Sequence, residues 1–560
     1  MFAIKGLILI KILAIAFTAL GVFLLSRKIK SVYFLWLVGA TSALAYFFLV
    51  NNQPLLLWGL QGDELTIAAM YSSFAHVSFW SDYAFHGLPP FYPPAFFWLF
   101  ASIGRFFDWN GVQMAKLAAF SFFLFFSAIT YYLSLFFWKR EDCENNNVGR
   151  MTVFLAPLVI VTILDKDLLI GKPYEVLAGM MTIYWLISVY FAVLKDEWNW
   201  RQTFFYGVTA GLIFMIYYLW LVFAAIVFAL LGMEIERGRE WRYYKRLLPI
   251  VPVAIVTSLP YLGPLIFAYA KNGTENWQAA FFTPNGLDLW LPMFSVFTSK
   301  NLILLGGLFV LIYYRRNNFV KPLLYFFLAA FAWWVMGLVT LFFGAPFQEF
   351  RGFYILAPIA LAVAAAFGID RLWHEFEIEK KENWRYSLSV IGVLFFASQS
   401  VFGFFVDDYR IRNEKTPVPD ISMEMLALTN WLKGDSDSSK LTLHTVPQVS
   451  AFEPLNSAIY FNQHNTHPAA NFSARYYYIK SMAAARTSDE LKKMAENYPF
   501  GRIERFIFFG DRDYYYLYFH LDKMVDGIVE EQIKFPKKLF SEKYFRELFS
   551  VGGYDVLELK

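Results

Sequence analysis

The chain has 560 residues, of which 58% are hydrophobic, 21% aromatic and 17% charged, whereas a soluble globular protein carries about 45–50% apolar and about 25% charged residues. That balance excludes a water-soluble globule and a disordered chain, and the single Cys143 excludes an internal disulfide and a cysteine-built metal site. A net charge of +4 is small for this length and speaks against nucleic acid as the main partner.

The charge is unevenly spread. Residues 1–405 hold 52 charged side chains, 13% of that segment, and residues 406–560 hold 42, or 27%. The first segment reads as a polytopic membrane domain and the second as a soluble domain of ordinary size. A spanning helix needs roughly 20 mostly apolar residues. Twelve stretches are expected to span: 6–26, 31–50, 111–138, 151–164, 174–194, 203–217, 218–233, 247–270, 301–314, 322–343, 352–369 and 386–405. The run from Phe204 to Met233 suits either two short helices or one long tilted helix. The N-terminal helix reads as an anchor that stays rather than a removed signal.

One set of alternate loops carries 20 Lys and Arg residues, including Arg27, Lys28, Arg237, Arg239, Arg315 and Lys380; the opposite set carries six, namely Arg105, Lys166, Lys172, Lys271, Lys300 and Arg351. The positive-inside rule makes the first set cytoplasmic. The second set and the C-terminal domain then face outward, as expected of a multi-pass protein of the plasma (inner) membrane. This assignment requires that the apolar segment 91–107 lie in the outer interface rather than span.

The outward loops hold the chemistry, since the spans contain few ionisable residues. The first outer loop (51–110) opens with Gly62-Asp63-Glu64 and continues through Asp82 to HGLPPFYPP at 86–94. Asp63 suits two roles: N-cap of the following helix, and general base for an attacking hydroxyl. Glu64 beside it would complete a divalent-cation pair if one is used, although surface solvation explains two adjacent acids as well. His86 suits either substrate contact or a turn cap.

The second outer loop, DKDLLIGKPYE (165–175), places Pro173 in the first turn of a helix with Lys172 just before it. A phosphate there would gain from the lysine and from the helix N-terminus; solvation of a long lysine stem is the alternative. In the last outer loop, Arg351 is the only cation and suits a bidentate phosphate or an ion pair with Glu349.

The stretch KTPVPD (415–420) reads as a linker. Beyond it, 441–446, 505–510, 515–520 and 554–559 suit strands and 421–433 and 473–497 suit helices, giving a small α/β module. His464 and His467 lie in a polar loop that suits hydrogen bonding or sugar contact better than zinc. P-loop, dinucleotide, serine-elbow and zincin motifs are absent from the sequence.

The stretch GDELTIAAMYSSFAHVSFWSDYAFHGLPPFYPPAFFWLF (62–100) resembles the first outer loop of the GT-C membrane glycosyltransferases, and most closely the galactan 5-O-arabinofuranosyltransferase family of mycobacterial cell-wall synthesis. Gly62-Asp63, Leu88-Pro89-Pro90-Phe91-Tyr92-Pro93 and Phe97-Trp98 carry the resemblance, with GKPYEVLAG (171–179) and THPAANFSAR (466–475) in support. It implies a polytopic α-helical membrane protein of GT-C type, with about twelve spans and a C-terminal α/β extracytoplasmic domain. It also implies inverting transfer of arabinofuranose from a polyprenyl-phosphate donor to a glycan acceptor, with Asp63 as base. By the same resemblance Lys172, Arg351, Glu175 and Tyr92 are candidates for holding the donor, and Glu64, His86, His467 and Arg475 for contacting the acceptor. Three alternatives remain at this stage: a polyprenyl-linked sugar transporter, a GT-C transferase for another sugar or a lipid acceptor, and a glycan-binding scaffold.

Overall fold

The computed structural model describes residues 2–26, 32–50, 59–60, 62–140, 149–164, 166–195, 198–234, 240–275, 290–294, 297–343, 350–402, 421–435, 437–523 and 527–560. The linker at 415–420, the expected boundary at 405/406 and Glu349 lie outside the described residues.

The first part is all helical. In chain order its helices are α1 (Phe2–Ser26), α2 (Val32–Val50), α3 (Gly62–His76), α4 (Ala95–Phe107), α5 (Gly111–Arg140), α6 (Arg150–Ile163), α7 (Lys166–Gly171), α8 (Pro173–Leu194), α9 (Trp200–Tyr217) and α10 (Leu219–Met233). Then follow α11 (Glu240–Leu247), α12 (Ile250–Asn272), α13 (Ser299–Tyr313), α14 (Val320–Phe342), α15 (Arg351–Tyr354), α16 (Leu356–Glu375) and α17 (Glu382–Phe396). Each of the twelve expected stretches is mainly helical over its described residues, with a break at Ile355 within 352–369. Among the described residues, six helical segments are long and apolar enough to cross a membrane, so the chain is a multi-pass membrane protein. The 204–233 run is two helices that meet at Tyr218. The innermost helices are α8 and α16, buried on nearly every face; a helix apolar all round belongs in the middle of a bundle.

Helix α4 has 13 residues, about 20 Å at ~1.5 Å per residue and too short to span. It buries Phe96, Phe97 and Phe100 and exposes Leu99, Phe106 and Phe107. Its Arg105 reaches over to α3, donating from Nε to the Ala75 carbonyl (2.6 Å) and from a terminal nitrogen to the Phe74 carbonyl (3.1 Å). Those carbonyls belong to the last turn of α3, which needs donors from outside.

The C-terminal domain is built on one seven-stranded mixed sheet. Its elements are α18 (Met423–Gly434), β1 (Leu441–His444), β2 (Asn456–Ser457), α19 (Phe472–Ala483), α20 (Ser488–Glu496), β3 (Arg505–Gly510), β4 (Tyr514–Lys523), β5 (Gly527–Pro536), β6 (Phe545–Val551) and β7 (Tyr554–Leu559). β2, β1 and β3 run parallel; β4 and β5 extend the sheet antiparallel, and β7 with β6 closes the other side of β3. Alternation along β3 sends Phe506 and Phe508 into a core with α19 and Ile507 into a core with α18. The four expected strands are present; β2, β5 and β6 were not foreseen, and the 473–497 helix is two helices.

The sheet domain docks on the flank of α3. Ser72 Oγ donates to the Phe452 carbonyl (3.4 Å), Tyr83 hydroxyl to the Asn465 carbonyl (2.5 Å), and the Ser457 amide to the Ala84 carbonyl (2.8 Å). At Gly111 a Cβ would lie 1.8 Å from the Ala68 oxygen and 2.7 Å from the Ala451 oxygen, so only glycine permits this approach of α5, α3 and the sheet domain.

Candidate functional site

A cavity of about 470 Å³ lies where the helical bundle meets the sheet domain. Its polar wall brings together Asp63 from α3, Lys172 from the start of α8, Arg351 from α15, and Asn462, His464 and Asn465 from the sheet domain. Tyr92, Tyr217, Tyr218, Trp333 and Tyr354 supply an aromatic wall, and Ile528 of β5 closes one side. The loops that carry Asp63, Lys172 and Arg351 all belong to the cation-poor set, and the fold gathers them at one end of the bundle. Residues of the cation-rich set meet each other elsewhere: Lys321 pairs with Glu234 at 2.8 Å, and Arg246 donates to the carbonyls of Val193 and Lys195.

Asp63 sits in the first turn of α3, where a carboxylate is favoured by the helix dipole. The helix begins at Gly62, whose φ of +54° suits glycine. Its Oδ2 accepts from Lys172 Nζ at 2.8 Å, with the carboxylate half exposed to the cavity. Burial pushes the carboxyl up, but the Lys172 ammonium, helped by Arg351 and His464, holds it below its ordinary value. Lys172 itself caps the break between α7 and α8, with Pro173 in the first turn as expected.

The partner of Arg351 is Glu175, at 3.3 Å. Glu175 is nearly fully buried; its Oε1 accepts from the Tyr174 hydroxyl (3.3 Å), and its backbone carbonyl accepts from Trp220 Nε1 (2.8 Å). Glu175 therefore aims the guanidinium from behind and is absent from the cavity lining. Tyr92 lines the cavity within electrostatic reach of Asp63, Arg351 and Glu175.

The four residues expected at the acceptor lie elsewhere. Glu64 is buried on the bundle side of α3, where its charge reaches Tyr46 of α2, so it does not share a face with Asp63. Among the described residues no three His, Cys, Asp or Glu side chains gather as a metal site. The His86 amide donates to Asn456 Oδ1 in the seam, and burial lowers its imidazole to about 4. His467 is fully buried, packs at an angle against the rings of Phe91 and Tyr269, and accepts the Ala469 amide on Nδ1 (3.0 Å); burial lowers it to about 4 as well. Arg475 donates to the carbonyls of Ala470 and Ala458 (both 2.5 Å) and lies 4.0 Å over the Phe500 ring.

Of the two loop histidines, His464 is the one at the cavity, held by a 3.1 Å contact between Nδ1 and Asp522 Oδ2. Asn465 joins it, its Nδ2 3.4 Å from Thr66 Oγ1. The cavity residues that sequence reasoning passed over are chiefly the aromatics Tyr217, Tyr218 and Trp333. The one available signal was the polar hydroxyl pair at the centre of the 204–233 run.

Comparison with known proteins agrees with this architecture. The family described as "Arabinofuranosyltransferase N terminal" matches residues 5–395. The galactan 5-O-arabinofuranosyltransferase of Mycolicibacterium smegmatis is 23% identical over 344 residues, which is 59% of this chain and 52%, about half, of that relative's length. Among solved structures, ArnT from Cupriavidus metallidurans, bound to undecaprenyl phosphate, superposes with a TM-score of 0.51 at 12% identity over 79% of this chain and 87% of that one. That likeness is one of fold.

Proposed function

Because the chain belongs to the arabinofuranosyltransferase N-terminal family, we infer that it transfers arabinofuranose from a polyprenyl-phosphate donor to a hydroxyl of a cell-envelope glycan. The observation that carries the reading is the convergence of one carboxylate, Asp63, with two cations, Lys172 and Arg351, in a single cavity with an aromatic wall. A carboxylate suits an attacking hydroxyl, and cations suit a departing phosphate. The curated relative is a galactan 5-O-arabinofuranosyltransferase, and the structural relative was solved bound to undecaprenyl phosphate; both support this reading.

In the reaction so read, the acceptor oxygen attacks the anomeric carbon as Asp63 takes its proton. The bond from that carbon to the phosphate oxygen breaks, and the polyprenyl phosphate leaves with the electron pair. Lys172 and Arg351 meet the charge that develops on it. A polyprenyl phosphate is already a good leaving group, so a second acid to protonate it is unnecessary. One displacement from the face opposite the leaving group inverts the anomeric centre. Tyr92 and the Tyr217–Tyr218 pair pack the sugar ring and exclude water. The excess of basic residues in the other loops supports reading the cavity and the sheet domain as extracytoplasmic.

The test is a product assay on membranes containing the protein, supplied with polyprenyl-phosphate arabinofuranose and an oligogalactan. Mass analysis is expected to show a single added pentose. A hexose product, or movement of donor across vesicles with no glycosidic product, overturns the reading.

A further inference from the structure

The β4–β5 hairpin reaches into the cavity wall and leads out of it along an open face. Ile528, which lines the cavity, pairs with Asp522; the register then sets Glu530 opposite His520, Gln532 opposite Tyr518 and Lys534 opposite Tyr516. Directly opposed residues of an antiparallel pair point to one face, and alternate residues along a strand share it. From Ile528 outward this face therefore carries His520, Tyr518 and Tyr516 over about 20 Å, at ~3.4 Å per residue. Leu517, Phe519 and Phe535 point the other way, into the core with α19. α18 covers the same side of the sheet only farther along, over Ile507 of β3 and Val556 of β7. Tyr518 stays 44% exposed and Ile528 47%.

We propose that this face is the track along which an uncharged glycan chain lies while its terminal hydroxyl sits at Asp63. The occupant rests on the transferase reading, and the chemistry of the face supports it. Tyrosines offer flat apolar rings with polar rims, which match the C–H faces and hydroxyl edges of sugar rings. The Tyr516 and Tyr518 ring centres stand 6.3 Å apart, a step that successive sugars can follow. The polar groups nearby already have contacts within the hairpin: His520 lies 3.2 Å from Glu530, Lys534 lies over the Tyr516 ring, and the Tyr516 hydroxyl donates to Asp511. The described residues of the two strands thus present no run of cations for an anionic lipid, and Gln532 adds a neutral hydrogen-bonding group. The track begins at the cavity, so a polymer growing at its end has its older units led away from the site.

The experiment is calorimetric titration of the detergent-solubilised full chain with a disaccharide and with a longer oligosaccharide of the same uncharged sugar. The longer ligand is expected to bind more tightly. Tyr518→Ala removes about fivefold to tenfold of that gain, the loss of one aromatic contact, while Tyr518→Phe, which keeps the ring, retains it. Equal affinity for both lengths in the unaltered protein, or an undiminished gain in Tyr518→Ala, overturns the proposal. Binding of anionic vesicles that Tyr518→Ala abolishes would assign the face to lipid and overturn it too. The measurement needs no turnover, so length-dependent binding without sugar transfer counts against the transferase reading alone.

Discussion

Lys172 Nζ and Asp63 Oδ2 stand 2.8 Å apart, tying the start of α8 to the first turn of α3. The same lysine that suits a donor phosphate is therefore the group that sets the basicity of the acid beside it. Asp63→Asn keeps the shape of the side chain but removes the proton acceptor. Transfer is expected to fall by about 10²–10⁴-fold with insertion and thermal unfolding unchanged, measured by product formation in membranes. Full activity in that variant would remove Asp63 from the base role.

Replacing the cation separates its two duties. In the native chain Asp63 is held below the ordinary value for a carboxyl, about 3.9, so its ionised form persists at every pH above that. Lys172→Met removes the group that lowers it while the burial that raises it remains. The acidic limb of the rate profile should then move to higher pH, and the donor KM should rise. A pH–rate series on both proteins checks this; a shift toward lower pH would contradict the assignment.

Glu175 and Arg351 form a pair shielded from water, with side-chain exposures of 3% and 17%. Glu175→Ala removes the carboxylate that Arg351 holds at 3.3 Å, which costs about 3 kcal/mol where a buried pair is broken. Thermal unfolding in detergent should register the loss. Glu175→Gln, which keeps the volume and an acceptor, is expected to fall between the two.

Asp82 is fully buried in the first loop, and burial pushes its carboxyl up to about 7 against the amides of Ala84 and Phe85. A carboxyl raised in the folded state binds its proton more tightly there than in the unfolded chain. Its stabilising contribution is complete below the unfolded value of about 3.9 and is lost as pH rises through about 7. Asp82→Asn should flatten the pH dependence of unfolding between those limits, read as melting temperature against pH.

Gly111→Ala tests the seam. The added Cβ would meet two carbonyl oxygens, 1.8 and 2.7 Å away, neither on a flexible side chain. Overpacking of this kind costs about 1–3 kcal/mol. Proteolysis of the C-terminal domain should accelerate before the bundle itself melts.

The helices and the loops that hold the chemistry were legible from local signals, apolar length and Lys and Arg asymmetry; Lys172 stood out just before a helix start and Arg351 as the lone cation of a short loop, whereas Tyr92 came only with the family resemblance. What escaped depends on partners far along the chain. Glu175 looks like a ligand at a helix start, yet its role is set by Arg351, brought to it by folding. Tyr217, Tyr218 and Trp333 lie in apolar runs, where an aromatic facing lipid and one facing a cavity read alike. His464 and His467 share one polar loop, and only the turn at Pro468 decides which ring is buried. β5 was missed because one of its faces is open: Glu530, Gln532 and Lys534 on that face, with Glu531 on the other, break the apolar pattern that marks a covered strand.

One wall of the cavity has an origin with a further consequence. Asn462, His464, Asn465 and Ile528 come from the sheet domain, and Asp63, Lys172 and Arg351 from the bundle. Neither half lines the cavity alone, and what joins them across the flank of α3 is a surface of hydrogen bonds and close packing. Two separately expressed polypeptides, cut between the halves, should therefore regain transfer when mixed in one membrane. The family match ends at residue 395, whereas the cavity wall draws on residues as far along as Ile528.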